Sequence, residues 1–397
     1  MTILISLSSF PYNLPFPMMH SSSLATSLIS LCCGLRKFLM FLPVAMCISF
    51  VSCTEGEQPS DDPQAVFQSL WRNIDEHYCF LDYKKEELGV DWNDIYAKYQ
   101  PRLNPTMTKL QLFEVLCDML SELRDGHVNL YCSADVGRNW SWHEDFPENL
   151  STELRDRYLG TDYRIAAGLK YRILEDNVGY VAYESFTHGI GEGNIADVLY
   201  FLRTCTGLIL DVRSNTGGQL NYAEMLSSHF TNERILVGYT AHKAGPGHND
   251  FSTPEPQYLN PSTTIRWQKP CIVLTNRSCY SATNEFVRNM KECPQVTILG
   301  DQTGGGSGMP FTSVLPNGWT LRYSACPMYD ARMEHTEFGI LPDIPCALDS
   351  TDMAKGKDTL IERARKEITK AANKEGNNRV AKAIQQKTPP LNEGRSS

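Results

Sequence analysis

The chain has 397 residues and a formal net charge of −9. Its length allows one large domain with small additions, and the acidic balance without a basic block argues against nucleic acid as a partner. The cysteines show no CxxC or zinc-like spacing, and the sequence predicts neither a metal ion nor a cofactor.

Residues 1–53 are predicted to be an export segment. From Leu35 a basic pair precedes an apolar run that is shorter than the ~20 residues of a membrane span, and small residues and Cys53 follow. The ending Phe50-Val51-Ser52-Cys53 resembles a bacterial lipoprotein cleavage box, which predicts lipidation at Cys53 and a membrane-anchored protein of the cell envelope. The alternative is an ordinary signal peptide and a secreted protein. Residues 1–34 add a second apolar stretch before the basic pair, so we expect translation to start later, with Leu35 as a candidate.

A polar tether over 54–61 leads into a predicted N-terminal helical domain over 62–126. Asp62-Pro63 has the pattern of a helix start, and a second helix is predicted over about 108–124 from Thr108. Apolar residues at helical spacing predict the buried faces of these two helices. They are Phe67, Leu70, Trp71, Ile74 and Tyr78 in the first, and Leu110, Phe113, Leu116, Leu120 and Leu123 in the second.

His127 stands where the second helix gives way to a strand. The segment Arg124-Asp125-Gly126-His127 precedes the alternating VNLYC, so the imidazole is placed to project into a cleft. The alternative is an ordinary hydrogen-bonded loop histidine. The next stretch, 133–170, is polar and loop-rich, and its Trp140, Trp142 and His143 are better explained by packing than by ligand binding.

Strands then alternate with helices, which predicts a parallel or mixed sheet covered on both faces. A hairpin is expected over 171–183, a helix over about 195–203, and a buried strand over 207–212 that ends in Arg213-Ser-Asn-Thr-Gly-Gly. Asp211 and Arg213 are expected to form a structural pair that holds this turn.

The stretch 271–290 combines a buried strand with a helix that follows at once, and Ser281 lies at their junction. Such a junction exposes a nucleophile beside backbone N–H groups and the helix dipole. The alternative is that Ser281 only caps the helix, since serine is a favoured N-cap residue.

Farther on, strands are predicted over 296–300 and 318–325, and a polar helix over about 358–372 before the tail; the last segment of the chain is taken as 351–397. The glycine cluster 304–308 lacks the Gly-Lys-Ser/Thr of a phosphate loop, so phosphate binding is not expected.

Three motifs together resemble the C-terminal-processing (tail-specific) serine peptidases. They are GLILDVRSNTGG, VLTNRSCYSATNEF with VTILGDQTGGGSG, and EFGILPDI. The resemblance implies an α/β fold with a crotonase- or Clp-protease-like core of layered sheet and helices over 127–350. It also implies a serine peptidase.

The chain departs from the processing peptidases at two points. The glycine cluster occupies the place of their catalytic lysine, and the segment between His127 and the hairpin is too short for a PDZ module. The chain is more similar to the tricorn-core branch, in which a histidine replaces the lysine. That similarity implies His127 as the base and Glu337 as the third group, with Asp343 and Glu334 as substitutes. Gly126 stands where that branch often has a serine.

The expected mechanism is a Ser-His-Glu acyl-enzyme mechanism. His127 takes the proton of Ser281, and backbone N–H groups at Gly217 or Gly218 and at Ala282 stabilise the oxyanion. The expected substrates are peptides or unfolded proteins in the cell envelope. The alternative, motivated by the missing lysine and by Gly126, is an inactive pseudo-peptidase that binds peptide or glycan in the same cleft.

Overall fold

The computed structural model describes residues 58–139 and 143–387, with side chains up to residue 374. The predicted export segment with Cys53, most of the tether, Trp140 and Trp142 lie outside the described residues. Within the described part, no helix is both long enough and apolar enough to cross a membrane.

Four helices open the described chain. They are α1 (Pro63–His77), α2 (Leu81–Leu88), α3 (Trp92–Tyr99) and α4 (Lys109–Ser121). The two predicted helix starts are confirmed: the Asp62 carboxylate accepts a hydrogen bond from the Ala65 N–H at 3.0 Å, and Thr108 forms a capping box with Gln111. Neither α2 nor α3 was predicted.

The buried face of α4 differs from the prediction at one position. Leu110 is 59% exposed, whereas Leu112 is buried together with Phe113, Leu116 and Leu120. With about 3.6 residues per turn, Leu110 lies on the side of α4 opposite the buried Leu112 and Met119. The apolar pattern therefore identified the helix but misassigned one residue of its buried face.

Two β-sheets follow, one mainly antiparallel and one mainly parallel. The strands of the first sheet run in the order β2-β1-β12-β7-β8, with β11 also paired to β12. Its members are β1 (Asn129–Tyr131), β2 (Val136–Arg138), β7 (Ile235–Thr240), β8 (Glu255–Leu259), β11 (Gly308–Val314) and β12 (Thr320–Tyr329).

The second sheet has the order β13-β10-β9-β6-β5-β4-β3, and its strands from β13 to β5 are parallel to their neighbours. Its members are β3 (Arg164–Ala166), β4 (Leu169–Ile173), β5 (Val178–Tyr183), β6 (Gly207–Asp211), β9 (Cys271–Thr275), β10 (Val296–Gly300) and β13 (Ile344–Pro345). The remaining helices are α5 (Thr152–Leu159), α6 (Glu192–Leu202), α7 (Leu220–Ser228), α8 (Ala282–Lys291), α9 (Ser350–Ala354) and α10 (Thr359–Lys387).

Helices cover both faces of the parallel sheet, as predicted. Leu208 and Leu210 of β6 pack with α6, α7 and α8 in one core, and Ile209 between them packs on the other face with α10. The predicted α/β fold is thus confirmed. Helix α10 extends well past the predicted end at residue 372.

The Asp211–Arg213 pair is also present, buried, with Arg213 Nη2 at 2.7 Å from Asp211 Oδ2. Arg213 makes a second buried ion pair with Asp358, at 2.9 Å, which ties the turn after β6 to the start of α10.

The N-terminal helices share their hydrophobic core with the first sheet. Val66 and Phe67 of α1 belong to the same buried cluster as Leu130 of β1 and Leu321 of β12. The buried core therefore continues across the domain boundary that was predicted between residues 126 and 127. As a result, residues of the helical segment can contribute directly to a site in the sheet segment.

Candidate active site

Ser281 lies at a strained turn between β9 and α8. Its backbone has φ 56° and ψ −123°, which is unusual for a residue with a side chain and is typical of a nucleophile at a strand-to-helix turn. The turn is packed against Gly217, where an added Cβ would lie 2.6 Å from the Tyr280 carbonyl oxygen. The Ser281 side chain makes no capping hydrogen bond, so the interpretation of Ser281 as only a helix cap is wrong.

The structure brings His127 to Ser281 across 154 positions of the chain, with Nε2 at 3.0 Å from Oγ. His127 is 4% exposed and lies in the turn between α4 and β1. That turn is fixed by Asp125, whose Oδ1 accepts the His127 backbone N–H at 2.7 Å. The Ser281 and His127 side chains are therefore close enough for proton transfer between Oγ and Nε2.

Burial lowers the pKa of His127 to about 4. The Asp125 carboxylate acts in the opposite direction, and the Arg322 guanidinium adds to the lowering. The imidazole is consequently neutral at neutral pH and can accept a proton on Nε2. The Gly308 carbonyl favours the protonated ring, but Nδ1 has no hydrogen-bond partner of acceptable geometry among the described residues.

Glu337 does not make the contact with His127 that the resemblance implied. Its Oε1 lies 2.9 Å from the Lys84 ammonium, and its Oε2 accepts the Ser307 backbone N–H at 3.1 Å. A buried carboxylate is stable only when a cation or hydrogen-bond donors compensate its charge, and Lys84 of α2 provides the cation for Glu337. Burial raises the pKa of Glu337 to about 7, although Lys84 lowers it.

Asp125 is the carboxylate nearest to the histidine turn, and it is saturated with donors. It accepts hydrogen bonds from the hydroxyl groups of Tyr78 at 3.0 Å, Tyr280 at 3.3 Å and Ser324 at 2.8 Å. Burial would raise its pKa, but the Lys84 charge, His127 with its backbone N–H, and the Ser324 hydroxyl hold the pKa below its usual value. We call Lys84, Asp125 and Glu337 the buried charge cluster.

Two backbone N–H groups near Ser281 are unengaged. The N–H groups of Gly218 and Ala282 make no hydrogen bond within the described part of the chain, whereas the Gly217 N–H donates to Asn215 Oδ1 at 3.0 Å. Of the two glycines predicted for the oxyanion site, Gly218 therefore has the available donor. Gly217 serves the close approach of the turn to Ser281.

The two substitutes considered for Glu337 lie elsewhere. Asp343 accepts the Ile298 N–H at 2.8 Å and pairs with Lys291, and Glu334 lies beside Arg332. Sequence reasoning missed Lys84 and the role of Asp125. A carboxylate two residues before a turn histidine was a signal for Asp125, but no local pattern distinguished Lys84 from a surface lysine.

Two cavities meet at Ser281 and His127. One has a volume of about 450 Å³ and includes Asn129, Arg138 and Arg322 in its lining. The other has a volume of about 440 Å³ and is lined in part by Glu285, Met309 and Met328. Both volumes fall within the range of ordinary ligand-binding pockets. The described residues contain no group of three His, Cys, Asp or Glu side chains arranged to hold a metal ion.

A neutral imidazole beside a serine at a strained strand-to-helix turn is the arrangement found in serine hydrolases. Comparisons with known proteins agree with this class. Residues 177–346 match the family model for peptidase family S41, and residues 59–121 match the model for the tricorn protease C1 domain.

Individual relatives give the same result. A crystal structure of a candidate peptidase from Parabacteroides merdae is 51% identical, with a TM-score of 0.74, and the match covers 78% of this chain and 97% of that one. The chain therefore belongs to peptidase family S41, and the sequence-based assignment to the C-terminal-processing peptidases is confirmed.

More distant matches agree with the peptidase assignment and with the fold. The carboxy-terminal-processing protease of Bartonella bacilliformis is 27% identical over 49% of this chain. The match covers 44% of that protein, so this chain spans less than half of its length. The structure of mature CPAF shares the fold, with a TM-score of 0.60 at 13% identity over 79% of this chain and 98% of that one.

Proposed function

We propose that the protein is a serine endopeptidase that cuts peptides or unfolded proteins through an acyl-enzyme. The observation that carries the proposal is the 3.0 Å separation between Ser281 Oγ and the neutral His127 Nε2. Family membership supports the reaction class, since S41 is a family of peptidases.

In the proposed mechanism His127 removes the hydroxyl proton as Ser281 attacks the peptide carbonyl. The N–H groups of Gly218 and Ala282 stabilise the oxyanion, each contributing about 3 kcal/mol. Asp125 stabilises the imidazolium electrostatically from the same turn. Glu337 binds the Lys84 ammonium and accepts the Ser307 N–H beneath the site. The imidazolium then returns its proton to the leaving amine.

The test uses a fluorophosphonate probe together with hydrolysis of an unfolded protein such as reduced casein. Ser281→Ala abolishes labelling and lowers kcat by at least about 10⁴-fold, and His127→Ala has a similar effect. Ser278→Ala is the matched control, because Ser278 lies in the same connection between β9 and α8 but outside the site. Full activity in Ser281→Ala would remove the proposed nucleophile.

The alternative is an inactive pseudo-peptidase that binds peptide or glycan in the same cleft. The glycine at position 126 favours it, and so does the His127 ring, whose Nδ1 makes no hydrogen bond to a carboxylate within the described part of the chain. This alternative predicts that the wild-type protein fails to react with the fluorophosphonate probe while still binding peptide or glycan.

We also propose that the protein acts in the cell envelope through a lipid on Cys53. The support is the sequence of residues 35–53, with its basic pair, apolar run and small residues before the cysteine. Mass spectrometry of the protein from its host is expected to find a lipidated N-terminal Cys53. An unmodified N-terminus downstream of Cys53 would instead indicate a secreted protein.

A further inference from the structure

The first described residues of the chain are attached to the turn between β11 and β12 and to the start of α4. The Ser60 backbone N–H donates to the Pro316 carbonyl at 3.0 Å, and the Asp61 carboxylate pairs with the Lys109 ammonium at 2.8 Å. Pro316 lies between the end of β11 and the start of β12, and Lys109 is the first residue of α4. These contacts fix the place on the protein surface at which the chain enters the described structure.

Two of the most exposed large apolar side chains lie beside this entry point. Val314, the last residue of β11, is 70% exposed, and Leu110, in the first turn of α4, is 59% exposed. Val314 precedes Pro316 by two positions, and Leu110 directly follows Lys109. Each apolar side chain therefore adjoins one of the two contacts that hold the entering chain.

The helix and the turn that carry these side chains are packed on each other. The Phe113 ring, three positions after Leu110 on the surface of α4, lies 5.4 Å from the Trp319 ring. Trp319 closes the turn between β11 and β12, where its carbonyl accepts the Leu315 N–H at 2.8 Å. Leu110 and Val314 are thus parts of one packed unit. We call the surface formed by Leu110, Val314 and Pro316 the entry face.

The length of chain between the entry face and the proposed lipid limits how far that face can lie from a membrane. Residues 54–57 separate Cys53 from Gln58, and a fully extended chain spans at most about 3.6 Å per residue. The distance from Cys53 to Gln58 is therefore at most about 18 Å, whereas a folded domain of this length is about 50 Å across. A lipid on Cys53 would consequently keep the entry face close to the bilayer.

The chemistry of the entry face suits contact with lipid. Exposed leucine and valine side chains gain free energy when a bilayer removes them from water. The charges next to them are already engaged, since Lys109 pairs with Asp61 and the Asp62 carboxylate caps α1. Docking on lipid therefore covers apolar surface without separating an ion pair.

We propose that the entry face is a membrane-docking surface, on which Leu110 and Val314 enter the lipid bilayer beside the anchored N-terminus. The inference rests on the proposed lipid at Cys53 and adds the orientation of the whole domain. Strand β11 has seven residues and runs back from Val314 to Gly308, which lines the cavity of about 440 Å³ together with Ser281. A strand of that length spans about 20 Å, so Gly308 is held no more than about 20 Å above the bilayer surface. Peptide segments close to the membrane are then within reach of the site.

The experiment tethers the mature chain, residues 53–397, to phosphatidylcholine vesicles through an N-terminal hexahistidine tag and a nickel-chelating lipid. Vesicle flotation measures the apparent affinity. Leu110→Gln combined with Val314→Thr is expected to weaken binding about tenfold, because polar replacements lose the free energy that apolar side chains gain on leaving water. Ile165→Thr combined with Leu341→Gln is the matched control and should leave binding unchanged. Its two residues are 62% and 66% exposed and lie on β3 and in the loop before β13.

A tryptophan reporter detects the contact directly. In Val314→Trp, the emission is expected to shift to shorter wavelength on tethering and to be quenched by a brominated lipid, relative to the wild-type protein. Ile165→Trp should show neither change. Circular dichroism verifies that each variant is folded, and the reporter provides the test should the double variant at the entry face unfold.

The outcomes separate this proposal from the others. Equal vesicle binding by the two double variants, or an unshifted emission of Val314→Trp, would overturn it. An emission shift in the absence of vesicles, with a dimer in sedimentation, would instead assign the entry face to a second copy of the chain. A mature N-terminus without lipid would also overturn the proposal, because the anchor would be missing. Failure of fluorophosphonate labelling would refute only the proposed peptidase mechanism.

Discussion

The turn that carries Ser281 and the buried charge cluster beneath His127 contribute to one site but are encoded differently. The pattern that predicts the turn is local: a buried strand, a few small residues and an amphipathic helix within 271–291. The buried charge cluster instead joins α2, the turn before β1 and the loop after β12, with 253 positions separating Lys84 from Glu337. Short-range signals therefore locate the nucleophile, whereas the electrostatic environment of its base depends on tertiary packing.

The largest expected effect is on stability, in the buried charge cluster. Lys84→Met leaves Glu337 and Asp125 buried without their cation, and we expect a loss of about 3–5 kcal/mol in the free energy of unfolding. Both side chains of the Lys84–Glu337 pair are almost fully buried, at 0% and 2% exposure. Denaturant unfolding at pH 8 measures the loss.

The neighbouring lysine is the control for this prediction. Lys85 is 61% exposed and pairs with Asp91 on the surface, so Lys85→Met is expected to leave the free energy of unfolding nearly unchanged. Lys84→Met combined with Glu337→Leu should recover part of the loss, because no uncompensated charge remains at position 337. Equal stability of the two single lysine variants would contradict the importance of burial.

The pH dependence of the Lys84→Met loss has a definite sign. Burial raises the pKa of Glu337 to about 7 from its ordinary value of 4.5, and removing Lys84 raises the pKa further. Between these values the folded state binds a proton that the unfolded state does not, so stability rises as the pH falls. The penalty of Lys84→Met is therefore expected to be smaller at pH 6 than at pH 8.

The next effect is on activity and concerns His127. Because burial lowers its pKa to about 4 from the ordinary value of 6.5, the acid limb of kcat/KM should have its midpoint near pH 4. Asp125→Asn removes a charge that raises this pKa, so the limb should move to still lower pH while kcat falls. Hydrolysis of a fluorogenic peptide between pH 3.5 and 8 measures both.

Folding must be followed in the same samples. Since the folded pKa of His127 is depressed, its contribution to stability is complete above pH 6.5 and is lost as the pH falls towards 4. Tryptophan fluorescence separates unfolding from titration. An acid limb near pH 6.5 in folded protein would mean that the imidazole is solvated, contrary to the structure.

The sequence was informative where structure is determined locally. The caps at Asp62 and Thr108, the hairpin over 171–183, and the strand over 296–300 all lie where their patterns predicted them. Helix α2 escaped prediction because Leu81–Leu88 contains Lys84-Lys85-Glu86-Glu87, which has the pattern of a solvated surface.

The site shows the same division. The pairing of Ser281 with His127 followed the family resemblance, and the structure brings the two side chains together. The partner of Glu337 did not follow, because a choice between Lys84 and His127 depends on which group reaches the carboxylate in the folded core. No spacing along the chain encodes that choice.

The smallest expected effect concerns a signal that is fully visible in the sequence. Thr108 caps α4 by accepting the Gln111 N–H at 3.2 Å, and Thr108→Ala should lower the free energy of unfolding by about 1 kcal/mol. Leu110→Ala, two residues farther on, is expected to change it less, because Leu110 is 59% exposed and alanine favours the helix. Urea unfolding of both variants distinguishes the two. A loss from Leu110→Ala as large as that from a buried leucine would restore the buried face predicted from the apolar pattern. A loss confined to Thr108→Ala would support the cap. Its size, about 1 kcal/mol, would remain well below the ~3–5 kcal/mol expected for Lys84→Met.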